Sequence, residues 1–315
     1  GLVPNHPSVA TTWSMAFEHV ERANPAAIEL MNLCAFLAPD AIPEELISEG
    51  APYLGPVLEP VAADRASLNA VLAELLKYSL VRRNASTHTL SIHRLVQAVI
   101  KDEMDEETQR LWAERVVRAV RQVFPDEEAP PWPRSQRYLA HALLCEELIN
   151  QWDITLDEAT RLLNNAGIYL KNRGQYPEAE PLLGHALSIR EKRYGRDHPK
   201  TYFLLGNLAE LYYRQGKYKE AESLYQRVLT ITEKVLGFEH PDIAIALSNL
   251  AALYYEQSKD EQAESLYQQA LAIKEKVLGL DHLSTAHSLN NLAALYYKQS
   301  KDEQAESLYQ QALAI

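Results

Sequence analysis

Three histidines that recur at one interval are the first candidates for chemistry in this sequence. His198, His240 and His282 are 42 positions apart, and imidazole is a frequent ligand of zinc. Equivalent residues on stacked helix pairs are about 10 Å apart, however, so imidazoles of adjacent units cannot share an ion at ~2.1 Å. We therefore interpret them as residues of a loop and a helix entry, and we predict no metal site.

The sequence also lacks the usual arrangements for catalysis. It contains no G-x-S-x-G, H-E-x-x-H or G-x-x-x-x-G-K-[ST] motif, so a serine nucleophile, a zinc peptidase centre and a phosphate-binding loop are not predicted. Cys34 and Cys145 stand far apart among apolar residues, which favours reduced core thiols. We predict that this chain is not an enzyme and has no cofactor of its own.

Repetition organises the second half of the chain. Four units share one 42-residue register, at residues 165–189, 207–231, 249–273 and 291–315. The last two units are identical except at Glu256, which becomes Lys298. A fixed period of this length is typical of a repeat protein, in which each unit stacks on its neighbours.

Each unit is predicted to be a pair of helices. Leu247, Leu250, Ala251 and Tyr254 have the spacing of one apolar stripe on a helix, and a second stripe follows the break at 257–259. Small residues recur where helices must approach closely, at Ala209, Ala251, Ala293, Ala221, Ala263 and Ala305. Apolar faces that one hairpin cannot cover must pack on the next unit, which predicts a mostly α, superhelical solenoid.

The motif N-L-A-x-L-Y-Y-x-Q-G-K-Y-x-E-A-E-x-L-Y-x-x-x-L, from Asn207 to Leu229, resembles a tetratricopeptide repeat. Those repeats are usually about 34 residues long. The longer unit here, with Leu-Gly-x-x-His-Pro at 236–241, resembles the kinesin-light-chain type. The resemblance covers roughly residues 157–315 and implies a protein that binds other proteins.

Residues 1–104 follow a different pattern. A helix is predicted through Trp13, Phe17 and Val20, followed by helices after Asn24 and Pro43, a loop marked by Pro52, Gly55, Pro56 and Pro60, and an amphipathic helix over 64–78. Residues 80–83 and 89–92 predict a β-hairpin, and a helix over 93–104 follows. Helices, a hairpin and a further helix is the order of a winged helix.

The segment Ile92-His93-Arg94-Leu95-Val96 resembles the M-H-D-L-V segment in the winged helix of bacterial signal-transduction ATPases of the NB-ARC (STAND) type. The resemblance implies that His93 contacts ATP or ADP in a parent protein whose nucleotide-binding domain precedes Gly1. Ile92 and Arg94 depart from the methionine and aspartate of the motif. Only the histidine therefore carries over.

We predict three regions. Residues 1–104 are a winged-helix-like domain with a small β-hairpin, and residues 155–315 are four tetratricopeptide repeats, of which the last is truncated. Helices over 106–124 and 136–152, around an acidic, proline-containing loop at 125–133, predict a linker and capping hairpin over 105–154.

Composition narrows the class of partner. The net charge is −12, which disfavours binding to a phosphate backbone, so we predict no nucleic-acid partner. No apolar run approaches the ~20 residues of a membrane span, and the first residues have no signal-peptide pattern. We therefore expect a cytoplasmic protein that does not bind a membrane.

The leading hypothesis is the non-catalytic sensor region of a STAND ATPase. The repeats would recognise a protein or peptide trigger, and the winged helix would pack on the nucleotide-binding domain of the parent chain. One alternative is a kinesin-light-chain-like adaptor, which the absence of sustained heptads before the repeats disfavours. Another is a DNA-binding regulator, whose recognition helix over 64–78 would offer only Arg65 and Lys77.

The trigger is predicted to bind along the first helices of the repeats. One position of that helix is always an asparagine, and three units add a tyrosine six residues later: Asn165, Asn207, Asn249 and Asn291, with Tyr213, Tyr255 and Tyr297. In tetratricopeptide repeats this asparagine position lines the concave groove. An amide both donates and accepts hydrogen bonds, so it can pair with any peptide main chain. The alternative is that these asparagines bond to the next repeat and the tyrosines only fill the stack.

Overall fold

The fold is described from a computed structural model of the chain. It describes residues 17, 19–20, 22–126, 130 and 132–315. Trp13 and the start of its predicted helix, and part of the loop at 125–133, therefore lie outside the described residues, whereas Phe17 and Val20 of that helix are helical as predicted. The chain divides into two compact units, residues 1–169 and 170–315.

The first unit contains seven complete helices, a short 3-10 turn and one small sheet among its described residues. In chain order the elements are α1 (Pro25–Ala35), β1 (Ile42–Pro43), α2 (Glu44–Glu49), the 3-10 turn (Ala51–Tyr53), α3 (Glu59–Ala63), α4 (Arg65–Lys77), β2 (Val81–Asn84), β3 (Thr89–Ile92), α5 (Arg94–Asp102), α6 (Glu106–Val123) and α7 (Pro133–Gln151). An eighth helix, α8 (Asp157–Asn172), runs across the boundary between the units.

Side-chain caps fix several of the predicted helix starts. Asn24, Asp64 and Asp105 accept hydrogen bonds from backbone amides in the first turns of α1, α4 and α6. Each cap satisfies an amide that has no partner inside the helix. The helices therefore begin within a residue or two of the positions that the sequence predicts.

The sheet contains one strand more than the predicted hairpin. β2 and β3 pair antiparallel, with Val81 opposite Ile92, and β1 joins the other side of β3, with Ile42 opposite Leu90. The strand order is therefore β1-β3-β2. Helix α3 also forms where the proline-rich stretch predicted a loop, because Pro60 lies near the start of the helix, where its missing N–H costs nothing.

Buried polar groups tie α1 to the rest of the first unit. The Gln97 amide of α5 donates to the carbonyl oxygens of Cys34 and Leu37, at 2.9 and 2.8 Å. His141 of α7 accepts the Ala38 amide on Nδ1 at 3.2 Å. Cys34 and Cys145 are free and buried, as predicted, and burial raises the pKa of Cys34 to about 12.

The second unit consists of the predicted helix pairs. Its helices are α9 (Tyr176–Tyr194), α10 (Tyr202–Arg214), α11 (Tyr218–Leu236), α12 (Pro241–Glu256), α13 (Asp260–Leu278), α14 (Leu283–Lys298) and α15 (Asp302–Leu313), with a 3-10 turn at Pro199–Thr201. The six alanines predicted at close helix contacts are all buried. This is the α-α solenoid that the repeat pattern indicated.

The turn inside each repeat needs one residue in the left-handed region. Gly174 and Gly216 hold it in the first two repeats, with φ of 75° and 73°. Ser258 and Ser300 hold it in the last two, with φ of 56° and 59°. Serine thus occupies in the last two repeats the positive-φ position that glycine holds in the first two.

Every helix in the described part of the chain is too short or too polar to span a lipid bilayer.

Candidate protein-binding surface

A repeated set of polar contacts fixes one repeat on the next. Glu222 of α11 accepts the Tyr254 hydroxyl of α12 at 3.0 Å and lies 3.5 Å from the Lys259 ammonium. Glu264 receives Tyr296 and Lys301 of the following repeat in the same way, at 3.2 and 3.0 Å. We call this glutamate, tyrosine and lysine set the repeat clasp.

The first copy of the clasp uses Glu180, Tyr212 and Lys217. The Lys217 ammonium lies 2.8 Å from Glu180, and this hydrogen bond holds the pKa of Glu180 below its usual value. In all three copies the lysine also lies over the tyrosine ring, at 5.2, 4.9 and 4.9 Å from its centroid. These groups are partly exposed, so each pair contributes at most about 1 kcal/mol. The repetition sets one geometry for successive first helices.

The predicted asparagines lie on the exposed part of those first helices. Asn249 and Asn291 are exposed and Asn207 is half-buried. The side-chain amides of Asn249 and Asn291 form no hydrogen bond with any residue that the structure describes. This disfavours the alternative in which they only bond to the next repeat, and it leaves two amides available to a ligand.

Asn165 differs from the other asparagines. Its amide donates to the Pro125 carbonyl at 3.3 Å and to an Asp126 carboxylate oxygen at 3.0 Å. Asp126 also pairs with Arg121, and the Trp132 ring meets Tyr169 edge-on at 6.1 Å. The side-chain amide of the first asparagine is therefore already hydrogen-bonded within the chain.

Apolar and aromatic side chains flank the later asparagines of the series. Four residues before Asn207 and Asn249, on the same helix face, Phe203 and Ile245 are 65% and 50% exposed. Tyr297 is 68% exposed, and Tyr213 and Tyr255 are half-buried. The first helices thus present a row of amides between apolar and aromatic groups.

The single difference between the last two repeats lies at a contact between repeats. Lys298 donates to the Tyr255 carbonyl at 2.8 Å, lies 3.1 Å from Asp260 and covers the Tyr255 ring at 4.3 Å. The equivalent Glu256 interacts with Tyr213, where burial first and this carboxylate second raise the pKa of the phenol. The substitution thus changes which group covers the preceding tyrosine.

His93 occupies a different place, at the start of α5. Its Nδ1 accepts the Leu95 amide at 3.1 Å, so it caps the helix. It borders a cavity of about 450 Å³ that is also lined by Asp40, Ser79, Arg82, Ser91 and Arg94. The side chains of Arg82 and Arg94 form no ion pair with a described residue. Two guanidinium groups, the His93 imidazole and the Asp40 carboxylate therefore border this cavity.

The three recurring histidines stand at the entry to the next helical segment, as predicted, and each caps it. His198, His240 and His282 each accept, on Nδ1, the amide two residues later, at 3.1, 3.2 and 3.0 Å. Among the described residues, no three His, Cys, Asp or Glu side chains gather in a way that could hold a metal ion.

The repeat clasp is the feature that the sequence analysis missed. Its signal was present, because glutamate, tyrosine and lysine recur at intervals of 42 residues. The intervals of 32 and 37 residues within each set gave no reason to pair them until the helices were stacked.

Comparison with known families identifies the second half. The profile of the Tetratricopeptide repeat family matches residues 158–234, 202–276 and 242–315, which together span half of the chain. The chain belongs to the tetratricopeptide repeat family. Residues 18–120 match a second family, Domain of unknown function (DUF7779).

One curated relative covers a longer part of the chain. A nucleotide-binding leucine-rich repeat (NLR)-like protein of Hyaloscypha variabilis is 30% identical over 197 residues, or 61% of this chain. The matched segment is 18% of that protein, so the chain corresponds to a small part of its length.

Solved structures support the fold. Two crystal structures of a Podosopora anserina protein described as a putative kinesin light chain with nearly identical TPR-like repeats, one of them a variant of that protein, each cover 67% of this chain and 96% of their own. The variant has a TM-score of 0.52 at 22% identity, and the other structure has 0.51 at 23%. At this identity the likeness concerns the fold alone.

Proposed function

We propose that this chain is the sensor and protein-interaction region of a STAND-type ATPase, located in the cytoplasm. The observation that carries the proposal is the row of asparagines on stacked tetratricopeptide repeats, with unbonded amides at Asn249 and Asn291, in a chain related to an NLR-like protein. The repeats bind a protein or peptide trigger, and the chain itself performs no catalysis.

The trigger lies across Asn207, Asn249 and Asn291. Successive first helices are about 10 Å apart, so one amide meets about every third residue of an extended peptide at ~3.3 Å per residue. Tyr213, Tyr255 and Tyr297 add apolar area with a polar tip. Asn165 is left out, because Pro125 and Asp126 already accept its hydrogen bonds.

The first unit acts as a winged helix that contacts the nucleotide-binding domain of the parent protein. Two observations support this: the order of elements from α1 to α5, and the β1-β3-β2 sheet. His93, with Arg82 and Arg94 on the same cavity, suits a nucleotide phosphate, because each side chain can donate to phosphate oxygens. An arginine in place of the aspartate of the family motif strengthens that preference for an anion.

The alternatives are less well supported. A kinesin-light-chain-like adaptor accounts for the repeats but not for the match of residues 18–120 or for the NLR-like relative. A DNA-binding winged helix would use α4, where the Lys77 ammonium is already 2.5 Å from Glu74. The net charge of −12 also opposes binding to DNA.

Panning a random peptide library against the 315-residue chain would test the groove. We expect Asn249→Ala/Asn291→Ala to weaken the enriched peptides by about tenfold or more at an unchanged melting temperature, because both side chains are exposed. Gln262→Ala/Gln304→Ala is the matched control, because it removes two exposed amides from the second helices. Equal affinity of the parent chain and the asparagine variant would rule out this surface.

The parent gene tests the ATPase assignment independently. We expect a G-x-x-x-x-G-K-[ST] motif in the coding sequence upstream of residue 1. A coiled coil there, with no such motif, would favour the adaptor instead.

A further inference from the structure

The three loops that join one repeat to the next form a second candidate surface. We call residues 193–200, 235–242 and 277–284 together the repeat edge. Each loop contains a glycine with positive φ, at Gly195, Gly237 or Gly279, followed three residues later by one of the capping histidines. The loops therefore share a positive-φ glycine and a capping histidine, and the first loop differs in leading into a 3-10 turn.

Two contacts show that neighbouring parts of the edge are close together. The Tyr202 hydroxyl, just after the first loop, donates to Asp242 at the end of the second at 2.9 Å. Lys276, just before the third loop, pairs with Glu239 of the second. A ligand can therefore span consecutive loops.

The first loop is basic and aromatic. The Tyr194 ring lies 4.5 Å from the Lys200 ammonium and 5.2 Å from the Arg193 guanidinium, and it stacks on His198 at 4.9 Å. Arg196 is exposed in the same loop. The loop is thus a local concentration of positive charge on a chain whose net charge is −12.

The carboxylates nearest to the first loop pair with another residue, so they do not neutralise the charges of the loop. Arg227 of α11 lies 2.6 Å from Glu191 and 3.5 Å from Asp197, so it engages both acids of the segment. Arg196 and Lys200 form no ion pair with any residue described in the structure. Cations that share a site without counter-ions attract an anionic group.

The other two loops carry apolar residues at the positions equivalent to Arg196. Of the carboxylates in the second loop, Glu239 pairs with Lys276 and Asp242 accepts the Tyr202 hydroxyl. Phe238 and Leu280, which replace Arg196 in the next two repeats, are 73% and 66% exposed, and Leu283 is 68% exposed. Single exposed apolar residues are ordinary, but large ones in register along one edge are typical of an interaction surface.

We propose that the repeat edge binds an acidic polypeptide segment with apolar side chains. Its carboxylates pair with Arg196 and Lys200 near Tyr194, and its apolar side chains pack on Phe238 and Leu280. A nucleic acid fits less well, because the apolar loops offer nothing to a phosphate backbone. The surface uses none of the groove asparagines, so it stands independently of the proposed groove.

The test uses fluorescence anisotropy with the 315-residue chain. The probe is a labelled synthetic peptide with a run of glutamates followed by spaced leucines. A peptide with glutamine in place of glutamate, and a single-stranded DNA oligonucleotide, are the comparison probes. We expect the glutamate peptide to bind tightest and to weaken severalfold between about 50 and 300 mM salt, because ions screen the exposed charges.

Two variants separate the halves of the surface. We expect the charge variant Arg196→Glu/Lys200→Glu and the apolar variant Phe238→Ser/Leu280→Ser each to lower the affinity for the glutamate peptide about tenfold. The dependence of binding on salt should be lost only in the charge variant. Asn249→Ala/Asn291→Ala should leave this binding unchanged, and melting curves establish that every variant is folded.

Three results would overturn the proposal: no saturable binding of the glutamate peptide, equal affinity of both edge variants and the parent chain, or tighter binding of the DNA that Arg196→Glu/Lys200→Glu abolishes.

Discussion

At the scale of single residues, the histidines of this chain serve as hydrogen-bond acceptors. His93, His198, His240 and His282 all use Nδ1 to cap a helix, and the buried His141 uses Nδ1 to hold the Ala38 amide. A protonated imidazole has no free lone pair. The buried contact of His141 therefore requires the neutral form of its ring.

The burial of His141 makes the stability of the folded chain depend on pH. Burial lowers its pKa from 6.5 to about 4. As the pH falls from about 6.5 to 4, the unfolded chain therefore binds a proton that the folded chain does not. Stability falls across this window, by roughly 3 kcal/mol in total.

Urea unfolding of the parent chain and of His141→Gln across this range measures the effect. We expect the difference in their stabilities to shrink as the pH is lowered, because glutamine does not titrate. A constant difference between the two proteins would contradict this role of His141.

Lys274 is a second buried titratable group, and its positive charge opposes folding. It is 6% exposed, its ammonium has only the Ser284 carbonyl, at 3.3 Å, as a partner in the described structure, and burial lowers its pKa. The equivalent residue in the preceding repeat is Thr232. The ammonium therefore remains desolvated without a counter-ion.

We expect Lys274→Met to raise the free energy of unfolding by roughly 1 kcal/mol at neutral pH, because methionine keeps the apolar stem. The gain should shrink at high pH, once the folded lysine loses its proton before the unfolded one does. Thermal unfolding measures it, with the exposed Lys234→Met as the matched control. A lower melting temperature for Lys274→Met would contradict the argument.

At the scale of secondary structure, most helices were predictable because their signals are local. Capping residues such as Asn24 and Asp64 mark starts, and the apolar period marks the buried face. Strand β1 was missed because two residues, Ile42 and Pro43, form a strand only by pairing with β3. Helix α3 was missed because prolines that suggest a loop are also favourable in a first helical turn.

Replacing serine by glycine should have different effects on stability inside a repeat turn and inside a helix. Ser258 has φ of 56°, a conformation that costs a non-glycine residue on the order of 1 kcal/mol. Glycine removes that strain but also loosens the unfolded chain. We expect Ser258→Gly to be neutral or to stabilise by up to about 0.5 kcal/mol.

Ser265 lies inside α13, where glycine only costs free energy. Ser265→Gly should therefore destabilise by roughly 0.5 to 1 kcal/mol. Chemical denaturation of both variants gives the comparison. If Ser258→Gly costs as much as Ser265→Gly, the positive φ carries no strain.

At the scale of the whole molecule, the repeat architecture was predictable from the sequence, whereas the asparagine row and the repeat clasp were predictable only in part. The 42-residue register predicted the asparagine row. It did not distinguish Asn165, whose partners Pro125 and Asp126 lie about 40 positions away. The repeat clasp depends on the same kind of distant pairing, which stacking creates and local patterns do not encode.

Stability within the repeats should decline towards the last helix pair of this chain. Helix α15 buries only Ala305, and Leu313 is 85% exposed, whereas the equivalent α13 buries Ala263, Tyr267, Ala270 and Lys274. Local opening is easier where fewer apolar contacts must break. Residues 249–273 and 291–315 differ at one position, so their intrinsic exchange rates are nearly equal and one segment serves as the control for the other. Hydrogen exchange followed by mass spectrometry should show faster uptake from Asn291 onward than in 249–273. Equal protection of the two segments would mean that stacking on both sides contributes nothing to the stability of a repeat.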